Sequence, residues 1–236
     1  LFSQPSIASH DKVYEITILH TNDFHARFRP ISKYDNNCSE KNNAKGKCFG
    51  GTARLISAIE DALTRHSNTI LLDGGDQFQG TLFYNLYKGK VAAEMMNKLE
   101  YDGMAVGNHE FDDGPETLRA FMDSVDFPVL MANANVDMEP ELKGKLDKST
   151  TLLKNHRKIG LIGVVTEEVV DISSAGDNII FTDAVTAVQA EVDFLTEAGV
   201  NIIILLSHSS YEIDKMIAAN TTGVDVIVGG HDNTYQ

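Results

Sequence analysis

The sequence predicts an α/β fold. Short runs rich in Val, Ile and Leu alternate along the chain with amphipathic stretches of helical periodicity, which is typical of α/β domains. The chain has 236 residues, 42% of them hydrophobic, which is enough to fill the core of one large domain or two small ones. Neither an internal repeat nor a low-complexity segment interrupts the alternation.

Five hydrophobic runs rich in β-branched residues have the length and composition of buried strands. They occupy residues 14–19, 69–72, 158–165, 201–206 and 224–229. In the fourth run, NIIILL, apolar residues are nearly continuous, which is typical of a strand buried within a sheet.

Five amphipathic stretches between these runs are predicted to be helices because their apolar residues recur at helical spacing. They occupy residues 52–66, 92–100, 116–124, 184–199 and 212–220. Two polar or charged segments, residues 34–47 and 137–148, are predicted to be surface insertions rather than domain linkers, since the alternation resumes after each of them.

Polar residues and glycines follow hydrophobic runs at five places: four of the runs above, all but 158–165, and the shorter run MAVG at residues 104–107. The clusters are Asn22-Asp23-Phe24-His25, Gly75-Asp76, Asn108-His109, His208 and His231-Asp232-Asn233. Ligands of open α/β sheets bind outside the carboxyl ends of the strands, so we expect the five clusters to converge in one crevice.

The side chains in these clusters are candidate metal ligands. A single histidine after a strand is more often structural, but four of the eight histidines lie in such clusters. Asp, His and Asn ligands without thiolate suit Zn²⁺, Mn²⁺ or Fe²⁺ better than a structural cysteine-rich zinc site. At least five candidate ligands exceed the three of a usual mononuclear catalytic zinc, which favours two metals. A carboxylate such as Asp76 can bridge two cations about 3.5–4 Å apart.

The composition and the motifs that are absent exclude several other functions. The net charge of −14, without a cluster of Lys and Arg, argues against a nucleic-acid polymer as partner. No apolar stretch approaches the roughly 18 residues of a membrane span. The sequence contains neither the Gly-x-Ser-x-Gly elbow of a serine hydrolase nor a P-loop. It begins at Leu1 without an initiator Met, so the chain is either processed or a trimmed part of a longer one, and removal of a signal peptide would fit.

Two further features favour a secreted or extracellular location. Cys38 and Cys48 flank a polar loop, and a disulfide between them would stabilise the fold by about 2–3 kcal/mol on the chain-entropy model; a pair of free thiols is the alternative. Asn37-Cys38-Ser39 and Asn220-Thr221-Thr222 match the N-glycosylation sequon, which predicts glycans at Asn37 and Asn220.

Six motifs together resemble the 5'-nucleotidase family of calcineurin-like metallophosphoesterases. In chain order they are ILHTNDFHAR, GGTARL, LLDGGDQFQGT, AVGNHEFD, LSHS and VIVGGHDNT, and the similarity runs from about Tyr14 to the last residue. The resemblance implies a four-layer sandwich of two β-sheets flanked by helices, and a dinuclear metal site in which zinc is favoured over manganese or iron.

The resemblance also implies a role for each motif residue. Its ligands for the first metal are Asp23, His25, Asp76 and Asn233, and those for the second are Asp76, Asn108, His208 and His231. It makes His109 and Asp112 the catalytic dyad, with Asp112 orienting the imidazole, and it places Asn108, His109 and Asn233 next to the substrate.

Physical chemistry supports the dyad independently. A proton-donating His109 would stabilise the charge that develops on the phosphoryl group and the leaving oxygen. Glu110 is given no such role and is predicted to be structural. Asp232 stands where many relatives have Ser. Its carboxylate could strengthen metal binding or repel an anionic substrate, but we expect it to face solvent.

The resemblance makes residues 1–236 an N-terminal metal domain. A C-terminal domain that recognises the nucleotide is expected in the full-length protein. The predicted activity is hydrolysis of AMP to adenosine and phosphate outside the cell. The alternatives are apyrase-type hydrolysis of ATP and ADP, and a non-catalytic secreted nucleotide-binding or anti-haemostatic protein.

Overall fold

Ten strands form the sheets of the computed structural model, which describes residues 13–34 and 36–234. Within these residues, the strands are β1 (Thr17–Thr21), β2 (Thr69–Asp73), β3 (Gly103–Ala105), β4 (Val129–Leu130), β5 (Ala134–Asn135), β6 (Ser149–Lys154), β7 (Arg157–Val165), β8 (Ile180–Phe181), β9 (Ile203–His208) and β10 (Val226–Gly229).

The helices of the same residues alternate with most of these strands. They are α1 (Glu40–Asn43), α2 (Thr52–Arg65), α3 (Leu82–Tyr87), α4 (Lys90–Leu99), α5 (Pro115–Met122), α6 (Val169–Ile172), α7 (Ala184–Glu197) and α8 (Tyr211–Asn220), with a 3₁₀ turn at His109–Phe111. Within the described part of the chain, no helix is both long enough and apolar enough to cross a bilayer.

The strands form two four-stranded sheets. The first has the order β1-β2-β3-β4, and all its neighbours are parallel. The second has the order β10-β9-β7-β6, in which β6 alone runs antiparallel to its neighbour. Strands β5 and β8 form a separate antiparallel pair. Consecutive parallel strands are joined through helices, as parallel pairing requires.

Three hydrophobic layers pack the sheets and helices together. Leu72 of β2 and Leu206 of β9 belong to the layer between the two sheets. The outer face of the first sheet packs against α2, α4 and α5, and that of the second against α7 and α8. Because β9 is covered on both faces, all six of its residues are buried. The architecture is therefore the predicted four-layer α/β sandwich, with a helical layer outside each sheet.

All five predicted strands and five predicted helices are present, with ends shifted by at most three residues. The short strands β3, β4, β5 and β8 and the helices α1, α3 and α6 were not among the predicted elements. Each is six residues or shorter, too short to establish a clear periodicity. The strand β6 was not predicted either, because its half-buried STTLLK has no continuous apolar run.

The prediction that residues 137–148 form a surface insertion is wrong in part. Leu142 is fully buried and belongs, with Leu146, to the core beneath the first sheet. The charged composition concealed this because Leu142 and Leu146 are the only buried apolar residues of the segment. The other predicted insertion, residues 34–47, is largely exposed where the structure describes it.

The disulfide prediction is confirmed. Cys38 and Cys48 are bonded, with their Cα atoms 5.8 Å apart. The bond closes the exposed loop that contains α1, and Asn37 directly before it is exposed.

Candidate metal centre

The carboxyl ends of the central strands meet at one edge of the sandwich. Backbone hydrogen bonds connect the loops there, since Asp23 N donates to Gly75 O at 2.9 Å. His208 at the end of β9 donates from Nδ1 to Gly74 O after β2, at 2.6 Å, and so joins the two sheets. A Cβ at Gly75 would lie 2.8 Å from His208 Nδ1, and its φ of +96° suits glycine. The five polar clusters therefore converge, as their positions in the sequence predicted.

Asp76 lies at the centre of this convergence. Its side chain is almost fully buried, and Oδ2 lies 3.1 Å from His208 Nε2 and 3.8 Å from His25 Nε2. Its Oδ1 accepts a hydrogen bond from the His109 backbone N–H at 2.9 Å. Burial would raise the pKa of Asp76, but the contacts with His208 and His109 outweigh it, so the pKa lies below its ordinary value.

Two groups of side chains around Asp76 have the spacing of metal ligands. One contains His25, Asp76 and His109, and the other contains Asp76, His208 and His231; in each group the ligand atoms lie within 4.8 Å of one another. Asp76 belongs to both groups. Asp23 lies beside the first, with Oδ1 3.8 Å from His25 Nε2, and its Oδ2 accepts the His231 backbone N–H at 3.0 Å.

The imidazoles of His25 and His208 are oriented for metal binding through Nε2. His25 Nδ1 donates to Phe78 O at 2.9 Å, and His208 Nδ1 donates to Gly74 O at 2.6 Å. A histidine that ligates a metal normally donates its other ring N–H in this way, which fixes the tautomer. In both residues Nε2 therefore lies toward Asp76 Oδ2.

Two buried atoms at the site have no hydrogen-bond partner among the described residues. They are Asn108 Oδ1 and His208 Nε2, the latter close to Asp76 Oδ2 but without the geometry of a hydrogen bond. A third such atom, Gln77 Oε1, belongs to a side chain that is hydrogen-bonded to Asp73 instead. Leaving a buried polar atom unpaired costs about 1–3 kcal/mol, so such atoms call for an explanation. Asn108 Oδ1 and His208 Nε2 are both ligand atoms for a divalent cation, and the resemblance assigns both residues to the second metal. The donor set therefore fits a dinuclear site of mixed nitrogen and oxygen ligands.

Asn233 differs from the other predicted ligands. It is exposed, and its Nδ2 donates to His231 O at 3.3 Å. It lines a cavity of about 480 Å³ together with Asp23, His25 and the cationic side chains of Arg27 and Lys33. The structure thus places Asn233 at the rim of the site, next to the residues predicted to bind the first metal.

His109 and Asp112 form a hydrogen-bonded pair beside the two groups. His109 Nδ1 lies 2.6 Å from Asp112 Oδ2, and the Ser173 hydroxyl donates to Asp112 Oδ1 at 2.7 Å. Partial burial opposes protonation, but Asp112 and Asp76 raise the pKa of His109 above its ordinary value. Because Nδ1 is occupied by Asp112, Nε2 is the ring nitrogen that remains for a substrate.

Several functional neighbours were not recognised from the sequence. Ser173 lies 61 positions after Asp112, and no sequence signal connects the two residues. Asp73 is fully buried and accepts hydrogen bonds from Thr21, Gly75 and Gln77, although its place in LLDGGD marks it as a strand-end residue.

Asp232 is exposed, as expected, but it does not simply face solvent. Its Oδ2 accepts the backbone N–H of Tyr211, the first residue of α8, at 2.8 Å, and its Oδ1 accepts that of Thr234 at 3.2 Å. A carboxylate at a helix N-terminus satisfies a donor that has no partner within the helix and interacts favourably with the helix dipole. Asp232 therefore anchors the chain after His231 to α8.

The chain is similar to known phosphoesterases over almost its whole length. Residues 16–235 match the family model described as calcineurin-like phosphoesterase. The chain is 46% identical over 229 residues to a 5'-nucleotidase of Diplobatis ommata and 42% identical over 225 residues to one of Homo sapiens. Each alignment covers 94% of this chain and 38% of the relative, so the chain spans about two fifths of the relatives' length.

Solved structures resemble the fold. A 5'-nucleotidase precursor from Thermus thermophilus matches with a TM-score of 0.83 and 37% identity, over 92% of this chain and 41% of that one. An NAD nucleotidase from Haemophilus influenzae matches with a TM-score of 0.80 and 29% identity, over 92% of this chain and 38% of that one.

Proposed function

This chain belongs to the calcineurin-like phosphoesterase family, and from that premise we propose that it hydrolyses nucleoside 5'-monophosphates such as AMP. The observation that carries the proposal is the convergence of two potential ligand groups on Asp76, with the His109–Asp112 pair beside them. The similarity to 5'-nucleotidases supports a nucleotide as substrate.

The proposed cofactor is a pair of divalent cations. One would be held by Asp23, His25, Asp76 and Asn233, and the other by Asp76, Asn108, His208 and His231. Imidazole and carboxylate ligands suit zinc, manganese and iron. Of the three we favour zinc. When bound, the cations supply positive charge that neutralises the phosphate oxygens and favours deprotonation of a water nucleophile.

The protein residues perform the remaining steps of hydrolysis. Asn108 and Asn233 are proposed to contact the phosphate. His109 donates a proton from Nε2 to the leaving oxygen of the nucleoside, since Nδ1 is already bonded to Asp112. Asp112 fixes the orientation of the ring, and Ser173 fixes that of Asp112. A general acid of this kind contributes about 10²–10⁴-fold to the rate.

Recognition of the base is proposed to require a further domain. The greater length of the relatives supports a C-terminal nucleotide-binding domain in the full-length protein. Contacts to the phosphate alone would not distinguish AMP from another monophosphate. The 236 residues alone should therefore hydrolyse nucleotides slowly and with little preference for the base.

We further propose an extracellular or secreted location. The disulfide between Cys38 and Cys48 supports it, because disulfides persist mainly in oxidising compartments. Relatives named snake venom 5'-nucleotidase, from Naja atra and Crotalus adamanteus, are consistent with it. Both sequon residues, Asn37 and Asn220, are exposed and therefore accessible for glycosylation.

The test is phosphate release from AMP, ADP and ATP by the purified zinc-loaded protein. We expect release from AMP, its loss on adding a chelator and its recovery with excess zinc. Faster release from ADP or ATP would favour the apyrase-type alternative. Tight nucleotide binding without release of phosphate would favour the non-catalytic alternative and overturn the proposal.

A further inference from the structure

Glu110 has no assigned role, yet it forms the densest hydrogen-bonded cluster at the site. Its side chain is completely buried. Oε1 accepts the backbone N–H groups of Gln77 at 2.9 Å and Phe78 at 3.1 Å. Oε2 accepts those of Asp76 at 2.9 Å and Gly107 at 2.7 Å. One carboxylate therefore binds four backbone amides.

These four amides belong to the two loops that carry the central residues of the site. The first loop follows β2 and contains Asp76, while the second follows β3 and leads into Asn108 and His109. Three successive amides, those of residues 76–78, converge on Glu110, and successive amides of this kind form a concavity that favours an anion. The Glu110 carboxylate supplies that anion from within the protein.

The backbone at both loops needs such support. Asp76 has a φ of +60°, a left-handed conformation that is uncommon for a residue other than glycine. The loops also approach each other closely, since a Cβ at Gly107 would lie 2.5 Å from Asp76 N and 2.7 Å from Glu110 Oε2. The hydrogen bonds to Glu110 hold Asp76 in this conformation, with its carboxylate between the two groups of ligands.

We propose that Glu110 is a positioning residue for the metal centre. It acts through the backbone, by fixing Asp76 and the start of the Asn108-His109 segment relative to each other. The inference rests on the proposed function only in that it requires divalent cations at this site, and it does not depend on which nucleotide is hydrolysed.

Both the charge and the shape of Glu110 are required. In Glu110→Gln one oxygen becomes an NH₂ group, which would face two backbone N–H donors and could accept from neither. In Glu110→Asp the charge remains, but the side chain is one methylene shorter and cannot reach both loops. Each variant leaves some of the amides of the two loops without a partner.

The control is Glu139→Gln, which removes the charge of another buried carboxylate. Glu139 is 8% exposed. It accepts hydrogen bonds from Glu141 N at 3.1 Å and Asn178 Nδ2 at 3.3 Å, and neither partner belongs to the metal site. A general loss of buried charge should therefore affect the control and the test variants alike.

The experiment measures zinc affinity by competition with a chelator, zinc content per chain, and unfolding of each variant without metal. Loss of a residue that supports metal ligands typically lowers metal affinity about 10–100-fold. We expect a loss in that range for Glu110→Gln, a smaller one for Glu110→Asp, and affinity within about twofold of the original for Glu139→Gln.

The inference is overturned if both Glu110 variants bind two zinc ions with the original affinity. It is also overturned if neither variant folds while Glu139→Gln does, because Glu110 would then be a folding residue. If only Glu110→Gln fails to fold, the zinc affinity of Glu110→Asp is the test. A loss of affinity supports the inference, and the original affinity overturns it. Zinc binding without phosphate release by the original protein would reject the proposed function and leave this test intact.

Discussion

His109 Nδ1 lies 2.6 Å from Asp112 Oδ2, and this contact determines which nitrogen of the imidazole remains for a substrate. Ser173 binds the other oxygen of Asp112, so the carboxylate is anchored on both sides. The remaining nitrogen, Nε2, belongs to a ring whose centre is 5.2 Å from that of His25. His109 Nε2, the proposed proton donor, therefore lies next to the proposed metal site.

Replacing His109 separates catalysis from metal binding. His109→Ala should lower kcat about 10²–10⁴-fold, the usual contribution of a general acid, while zinc content stays at two per chain. Phosphate release measures kcat, and elemental analysis of the same sample measures the zinc content. Because His109 also lies within ligand distance of Asp76, loss of one zinc would instead identify it as a ligand.

Replacing Asp76 should have the opposite outcome for metal. Asp76→Ala removes the carboxylate shared by both groups of ligands, so zinc content should fall and hydrolysis should be lost. Elemental analysis compares the zinc content of this variant with that of His109→Ala. If both variants were fully loaded with zinc, the bridging role of Asp76 would be wrong.

Replacing Asp112 should shift the pH dependence of hydrolysis. Asp112 is among the groups that raise the pKa of His109, so Asp112→Asn should lower that pKa. His109 would then lose its proton at a lower pH, and the basic limb of the plot of kcat against pH should shift to lower pH. Ser173→Ala, which retains the carboxylate, is the control and should move the limb less. An unchanged basic limb in Asp112→Asn would contradict the role of His109 as acid.

Replacing Asp73 should change how stability depends on pH. Burial raises the pKa of Asp73 from 3.8 to about 7 in the folded state. The folded state therefore binds this proton more tightly, and the resulting stabilisation is complete below about pH 4 and is lost as the pH rises to about 7. The free energy of unfolding of the original protein, relative to that of Asp73→Asn, should fall over this range, by on the order of a few kcal/mol.

The measurement for Asp73 is urea unfolding with a chelator present, so that metal binding does not contribute. The difference between the two proteins isolates the Asp73 carboxyl from the other titrating groups. A constant difference from about pH 4 to about pH 8 would show that Asp73 ionises with an ordinary pKa.

Removing the disulfide should affect stability but not metal binding. Replacing Cys38 and Cys48 with Ser should lower the free energy of unfolding by about 2–3 kcal/mol, because the unfolded chain is no longer constrained. The loop they close is exposed, and neither residue contributes a potential ligand. Chemical unfolding measures the loss of stability, and competition with a chelator measures zinc affinity. A large loss of zinc affinity would contradict the statement that the disulfide does not affect metal binding.

Much of the fold could be predicted because long elements have clear patterns. The continuous apolar run of β9 and the helical spacing of α7 both gave the correct element. The burial of Leu142 could not be predicted, since a leucine in a charged segment has the same local pattern whether it is exposed or buried. Its burial depends on which distant residues pack against the segment, and the local pattern of residues carries no information about them.

The sequence by itself determined the α/β class, the candidate disulfide pair and the set of polar clusters that follow hydrophobic runs, because each of these depends on local pattern or on residue type. Only the tertiary structure decided that Asp76 lies between two groups of ligands, that Ser173 supports Asp112, and that Glu110 binds four backbone amides. These relationships bring residues that are far apart in the sequence within a few ångströms of one another, such as Asp76 with His208 and Asp112 with Ser173. They depend on how the parallel strands place their ends at one edge.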